Sequence, residues 1–118
     1  GLLFSPLTGE ASALVAGTSL LTSQQPARPG DVLEVYATGL GPLSASPLYP
    51  GLRETVQPVT VTIDAAPATV LFSGAAPGVA GLYQLNVQVP ASALPGINKL
   101  RLSVAGRESN EADITIAP

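Results

Sequence analysis

Hydrophobic and polar residues alternate with a period of two in four segments of this chain. Strict alternation puts successive side chains on opposite faces of an extended backbone, so it is typical of half-buried β-strands. The alternating segments are residues 32–38, 59–63, 82–89 and 98–104. Shorter apolar runs between turn residues predict further strands over residues 13–20, 68–72 and 112–116, and a short edge strand over residues 2–4.

The inward-facing members of these strands predict one hydrophobic core. Its expected residues are Leu33, Val35, Ala37, Val59, Val61, Ile63, Val70, Phe72, Leu85, Val87, Leu100, Leu102, Val104 and Ile114. About seven strands, spaced roughly 8–12 residues apart, are typical of an immunoglobulin-like sandwich. We therefore predict an all-β, immunoglobulin-like β-sandwich of about seven mainly antiparallel strands, with residues 1–118 as a single domain.

Glycine and proline, 12 of each, separate the predicted strands and argue against a helical bundle. Residues 39–53 and 73–81 lack a hydrophobic period and are predicted to be loops, and residues 64–67 a hairpin turn. Glycines beside strand ends or prolines are expected to hold turn or bulge geometry rather than a ligand. These glycines are Gly30, Gly39, Gly41, Gly78 and Gly106.

The charge pattern excludes several classes of partner. The chain carries five cationic residues and a net charge of −3, without the basic cluster that nucleic-acid binding requires. No apolar run approaches the roughly 18 residues of a membrane-spanning helix, so we expect no membrane insertion. The chain begins at Gly1 without an initiator Met, which we interpret as a processed product or an excised domain.

The sequence contains no His and no Cys. The usual general base, the thiolate nucleophile and the soft metal ligands are therefore missing, and we expect neither catalysis nor a cofactor. Without disulfides, the stability of the domain has to come from packing. The absence of Cys and Met also removes the side chains that oxidise most easily, which suits an extracellular setting.

Several segments together resemble a known family. They are residues 27–31 (ARPGD), 36–42 (YATGLGP), 59–63 (VTVTI), 67–72 (PATVLF), 76–78 (APG) and 81–90 (GLYQLNVQVP). The combination resembles the Solibacter-type C-terminal domains of large secreted bacterial proteins and, more distantly, bacterial immunoglobulin-like domains of the IPT/TIG type. The resemblance covers nearly the whole chain, except that residues 43–54 are less similar. It implies an extracellular accessory domain and no particular reaction.

Two features suggest specific structural chemistry. Tyr83 opens a strand and resembles a tyrosine corner, in which the hydroxyl bonds to nearby backbone. Lys99 with Asn86 or Asn98 is a candidate for the isopeptide crosslink that some bacterial immunoglobulin-like domains carry. That crosslink requires a buried, neutral amine, whereas alternation places Lys99 and Asn86 on the outward face.

Acidic residues concentrate near the last predicted hairpin. Glu108, Glu111 and Asp113 are candidates for weak calcium binding, because calcium prefers oxygen ligands. No ligand-loop spacing accompanies them, so we favour a solvated turn flanked by charged strand ends.

Candidate contact residues lie in three places. Tyr36 is expected to point outwards, and Tyr49 belongs to the long proline-rich loop; exposed aromatic residues often anchor interfaces. Leu2, Leu3 and Phe4 form an uncharged apolar segment that should not remain uncovered in water. We expect this segment to pair along a sheet edge of the same domain, with a neighbouring copy as the alternative.

These observations favour a non-catalytic structural or interaction module, extracellular or on the cell surface, as the C-terminal accessory domain of a larger bacterial protein. Its expected partners are neighbouring domains or other copies of itself. Two alternatives remain open. One is a subunit of an extracellular fibre that assembles by strand addition. The other is a carbohydrate-binding module, which Tyr36, Tyr49 and the polar residues Gln84, Asn86 and Gln88 would support.

Overall fold

A computed structural model of the chain describes residues 9, 11–18, 20–47 and 51–118. Within these residues the chain forms ten β-strands and no helix. The strands are β1 (Ala13–Val15), β2 (Val32–Ala37), β3 (Leu43–Ala45), β4 (Arg53–Thr55), β5 (Val59–Ile63), β6 (Ala66–Ala75), β7 (Tyr83–Gln88), β8 (Gly96–Val104), β9 (Arg107–Glu108) and β10 (Ala112–Ile116). The all-β prediction is confirmed, and in the described part no helix exists that could span a membrane.

All strands pair antiparallel in one curled sheet, with neighbours in the order β1-β2-β7-β6-β5-β8-β10. Strand β6 belongs to both halves of the sheet, because its first residues pair with β5 and its later residues pair with β7 and β4. Strands β3 and β9 lie at the margins, paired with β4 and β8. The curl brings both halves around the same buried cluster.

The predicted core is confirmed at most of its positions. Leu33, Leu85 and Leu100, from three different strands, are completely buried and lie in one cluster. Val59, Val70 and Val104 are only half-buried and pack against that cluster. Small residues fill the spaces between the strands and were not predicted as core: Ala11, Ala13, Ala27 and Ala112.

Phe72 is buried, but it does not belong to this core. The pairing of β6 with β7 shifts between Val70 and Phe72, so that Val70 lies opposite Val87 and Phe72 lies opposite Asn86. Directly paired residues share a face of the sheet, and the inserted residue of a β-bulge reverses the faces that follow it. The prediction that Val70 and Phe72 both face the core was therefore wrong for Phe72, which faces away from it.

Backbone outside the regular strands covers the free edge of β10. The amide of Asp113 donates to the carbonyl of Gly9, and the amide of Ala11 donates to the carbonyl of Asp113, both at 2.8 Å. Further along, the amide of Ala27 donates to the carbonyl of Thr115 at 3.0 Å. These bonds satisfy peptide groups that would otherwise present a template for aggregation.

Several predicted boundaries need correction. The loop predicted over residues 39–53 contains β3 and the start of β4, which pair as a short antiparallel hairpin. Strand β1 ends at Val15 instead of residue 20. The chain turns directly after Val15, because Gly17 adopts a positive φ of 87° and the Thr18 amide donates to the Val15 carbonyl. Strand β6 extends to Ala75, into the predicted loop over residues 73–81. The edge strand predicted over residues 2–4 lies outside the described residues.

The glycine prediction is confirmed in backbone terms, since all five named glycines adopt a positive φ. Gly74 has a different and unpredicted role. A Cβ atom at Gly74 would lie 2.1 Å from the Arg53 carbonyl oxygen and 2.7 Å from the Phe72 ring. Only a residue without a side chain allows β4 to approach β6 and cover Phe72.

We expect truncation of the core to destabilise the fold. Leu85→Ala and Val61→Ala should each lower the free energy of unfolding by about 1–4 kcal/mol, because both side chains are buried between the two halves of the sheet. Urea denaturation provides the measurement. Ile97→Ala is the matched control, since Ile97 is 67% exposed and its truncation should change stability by less than about 0.5 kcal/mol. Unchanged stability in both core variants would contradict this arrangement.

Candidate interaction surface

The outer face of β2, β7 and β6, which points away from the core, carries the candidate site. Tyr36 lies opposite Gln84 across β2 and β7, and Glu34 lies opposite Asn86. Because Asn86 also pairs with Phe72, the bulge of β6 adds an aromatic ring to this polar row. The structure thus brings together Tyr36, Gln84 and Asn86, three residues that the sequence marked for contact.

A half-open groove of about 250 Å³ lies on this face. Apolar side chains dominate its lining, and two amide side chains, those of Gln84 and Asn86, line it on the β7 side. The apolar lining residues are Val32, Leu52, Leu71, Phe72 and Pro77. Apolar walls with a few oriented polar groups are the usual composition of a binding groove.

Leu71 is an exposed apolar contact in the groove. Its exposed fraction is 47%, whereas Phe72 beside it is 8% exposed. The bulge explains this pairing, because it leaves Leu71 without a cross-strand partner on β7 and presses the Phe72 ring beneath β4. Among the described residues, the groove therefore offers an aliphatic contact and no open aromatic ring.

The two amides of the groove are oriented by each other. The Gln84 Nε2 atom donates to the Asn86 Oδ1 atom at 2.9 Å. The Oε1 atom of Gln84 and the Nδ2 group of Asn86 have no partner among the described residues. One acceptor and one donor thus remain for a ligand, which matches the hydrogen-bonding groups of a peptide unit.

Tyr36 is half-buried and tethered. Its hydroxyl donates to the Glu34 Oε2 atom at 3.3 Å. Burial raises the pKa of Tyr36 above its ordinary value of 10.0, and the negative charge and hydrogen bond of Glu34 raise it further. Tyr36 lies on the predicted face but borders the groove instead of lining it.

The other predicted contact residues lie outside the described residues: Leu2, Leu3, Phe4 and Tyr49. Conversely, sequence reasoning missed Leu52 and Leu71 as contact residues and assigned Phe72 to the core. The apolar run at Leu71 and Phe72 breaks strict alternation, and that break is the signal of a bulge that could have identified them.

Tyr83 has the structural role that was predicted, with a different partner. Its hydroxyl donates to the carbonyl of Gly41 at 2.5 Å, across 42 positions of sequence. A tyrosine corner bonds to backbone only a few residues away, so the expected local contact is wrong. The bond instead ties β7 to the loop that precedes β3.

The remaining charged candidates are occupied by ion pairs. Lys99 Nζ lies 2.6 Å from Asp113 Oδ1, and this contact raises the pKa of Lys99, which keeps the amine charged. An isopeptide bond needs the opposite, a neutral buried amine. Arg101 lies 2.8 Å from Glu111 and 3.8 Å from Glu108.

The carboxylates considered for calcium are therefore directed at cations. No group of three or more potential metal ligands occurs in the described part of the chain. The Asn98 side chain is buried and donates to the carbonyls of Leu94 and Gly96 at 2.9 and 3.1 Å, which fixes the turn before β8.

A second depression, of about 530 Å³, lies at one end of the sheet. Gly39, Leu40 and Gly41 form one wall, and Arg107 and Glu108 lie on another. The opposite charges of Arg107 and Glu108 give the depression no consistent electrostatic preference. Its chemistry is less specific than that of the groove.

These features define an all-β protein with a curled antiparallel sheet and a groove on its outer face. Comparison with known proteins adds no relative: no family model, no curated protein and no solved structure matches the chain.

The bond between Tyr83 and Gly41 should contribute measurably to stability. We expect Tyr83→Phe to lower the free energy of unfolding by about 1 kcal/mol, because the Gly41 carbonyl loses its only donor in the described residues. Tyr36→Phe is the matched control. Its hydroxyl makes a longer bond to a partly solvated carboxylate, so the loss should be smaller. Equal effects of the two substitutions in urea denaturation would contradict the assigned role.

Tyr36 should make stability depend on pH at alkaline values. Because its pKa is raised in the folded state, the fold retains a proton that the unfolded chain has lost. Stability should therefore fall as the pH rises above about 10, and Tyr36→Phe should reduce that fall. Glu34→Gln should lower the pKa of Tyr36, measured from the ultraviolet absorbance of tyrosinate. An unchanged titration in Glu34→Gln would contradict the influence of Glu34.

Proposed function

We propose that this chain is a non-catalytic interaction module that docks a polypeptide segment in the groove of Leu71, Phe72, Gln84 and Asn86. The observation that carries the proposal is the combination of an exposed aliphatic contact with two oriented amides on a face that the core does not use. An apolar centre with satisfied polar groups around it is the usual anatomy of a protein interface.

A polypeptide fits the groove better than a sugar does. Sugar recognition relies on an open aromatic ring, whereas Phe72 is almost fully covered and Tyr36 is tethered to Glu34. The free acceptor of Gln84 and the free donor of Asn86 complement a backbone peptide group. This chemistry favours a neighbouring domain as the partner and makes carbohydrate binding the weaker alternative.

The architecture supports an immunoglobulin-like sandwich as the finer description of the fold. Residues from β2 and β7 pack across one core against residues from β5, β8 and β10. We propose, with the resemblance to the Solibacter-type and IPT/TIG-like domains, that the chain is the C-terminal accessory domain of a secreted or cell-surface bacterial protein. Protein–protein contact or adhesion is the role that such a position would give it.

The proposal is tested by comparing amide hydrogen exchange in the isolated chain and in the full-length product of its gene. Docking should slow exchange at Phe72, Gln84 and Asn86 in the longer protein. Leu71→Ser should reduce the docked population by about tenfold, the effect expected of one central apolar contact.

Leu94→Ser is the matched control for this experiment. Leu94 is 72% exposed and does not line the groove, so its substitution should leave docking unchanged. Equal exchange in the isolated and full-length proteins would refute docking in the groove. If the isolated chain bound to a glycan array and Leu71→Ser abolished this binding, the groove would be a carbohydrate-binding site instead.

A further inference from the structure

Among the described residues, the β3–β4 hairpin contains a strand that is bonded on one side only. The Ser46 amide donates to the Leu52 carbonyl at 3.0 Å, and the Val56 amide donates to the Pro42 carbonyl at 2.9 Å. In an antiparallel pair, hydrogen-bonded positions recur at every second residue. Ser44, midway between Pro42 and Ser46, therefore bonds to β4 as well.

The intervening residues, Leu43 and Ala45, direct their backbone groups away from β4. Two N–H groups and two carbonyls thus form an open edge, which we call the β3 edge. In the described part of the chain, β3 pairs with β4 alone. Ala45 is exposed and Leu43 half-exposed, so an added strand could reach both.

The β3 edge carries no charged side chain. Natural proteins block such edges with charge, and β9 follows this rule because both of its residues, Arg107 and Glu108, are charged. Strand β3 reads Leu-Ser-Ala and carries no charge. Pro42 and Pro47 flank it, which limits an added strand to about three residues.

The edges of β1 and β10 are already occupied. The Val15 carbonyl accepts from the Thr18 amide, and Leu14 forms a bridge with Leu21. At β10, Gly9 bonds to Asp113, and β10 begins only one residue earlier, at Ala112.

We infer that the β3 edge accepts residues 2–4 of a second copy of this chain by strand addition. The segment Leu2–Phe4 matches the edge in length and in absence of charge, and Pro6 ends it as Pro42 and Pro47 end β3. Backbone hydrogen bonds hold the added strand, and its apolar side chains lose contact with water. This inference does not rest on the groove, because an edge and a face are different surfaces.

Sedimentation of the whole chain over a range of concentrations tests the inference. Wild type should associate as its concentration rises. Ala45→Pro removes an outward N–H that β4 does not use, and should weaken association at least about tenfold. Ala45→Thr retains this N–H and should associate like wild type. Leu43→Lys adds a charge to the edge and retains every backbone N–H group, and it should also weaken association. This second variant keeps the test valid if Ala45→Pro fails to fold.

Complementation then separates strand addition from other contacts. Leu3→Lys should abolish self-association by charging the added strand. A mixture of Leu3→Lys and Ala45→Pro should associate again, because the first retains an intact edge and the second an intact segment. Leu71→Ser should have no effect on self-association. The edge and the groove are thus tested independently of each other. A chain that stays monomeric at about 1 mM, or a mixture that does not associate, would overturn the inference.

Discussion

The β-bulge of β6 is the constraint on which the rest of the structure depends. A single strand serves both halves of the sheet only if it bends between them, and the bulge between Val70 and Phe72 supplies that bend. The same inserted residue reverses the face of the strand, so that Val70 supports the core while Phe72 supports the outer face. Gly74 then lets β4 approach and cover the Phe72 ring. Fold and candidate site therefore share one origin, because the groove lies where the bulge turns apolar residues away from the core.

Backbone satisfaction is the second requirement, and it is unusually important in a chain without disulfides. At β10 the missing strand is replaced by parts of residues 9–27, including the buried Thr22, whose hydroxyl oxygen accepts from the Thr115 amide at 3.0 Å. An unpaired buried amide would cost about 1–3 kcal/mol. Positions such as Thr22 thus stabilise the sheet without belonging to any strand. In the described sheet β3 and β9 are each paired with a single strand, and the two differ in charge.

Much of the fold followed from sequence because alternation is a local property. Strands β5 and β10 were predicted with their observed bounds, and the core of β2, β7 and β8 followed from period two alone. The bond from Tyr83 to Gly41 and the approach of β4 to β6 join residues distant in sequence, so no local pattern contains them. The bulge leaves a local sign in the apolar run at Leu71 and Phe72, but its consequence depends on the partner strand β7. Only the polar half of the candidate site was predicted. Alternation places Tyr36, Gln84 and Asn86 on the outward face. The bulge, in contrast, is what brings Leu71 and Phe72 to the same face.

The distribution of charge gives the two outer faces different roles. The chain has 13 charged residues. On the face of β5, β8 and β10, Lys99 pairs with Asp113 and Arg101 pairs with Glu111. Water solvates such a face well, and covering it would require desolvation of several charges. Among the described residues that line the groove on the opposite half, none is charged. A partner that covers the groove displaces water from apolar surface and two amides, at a much lower desolvation cost. The uneven placement of the few charges therefore indicates which face is better suited to contact.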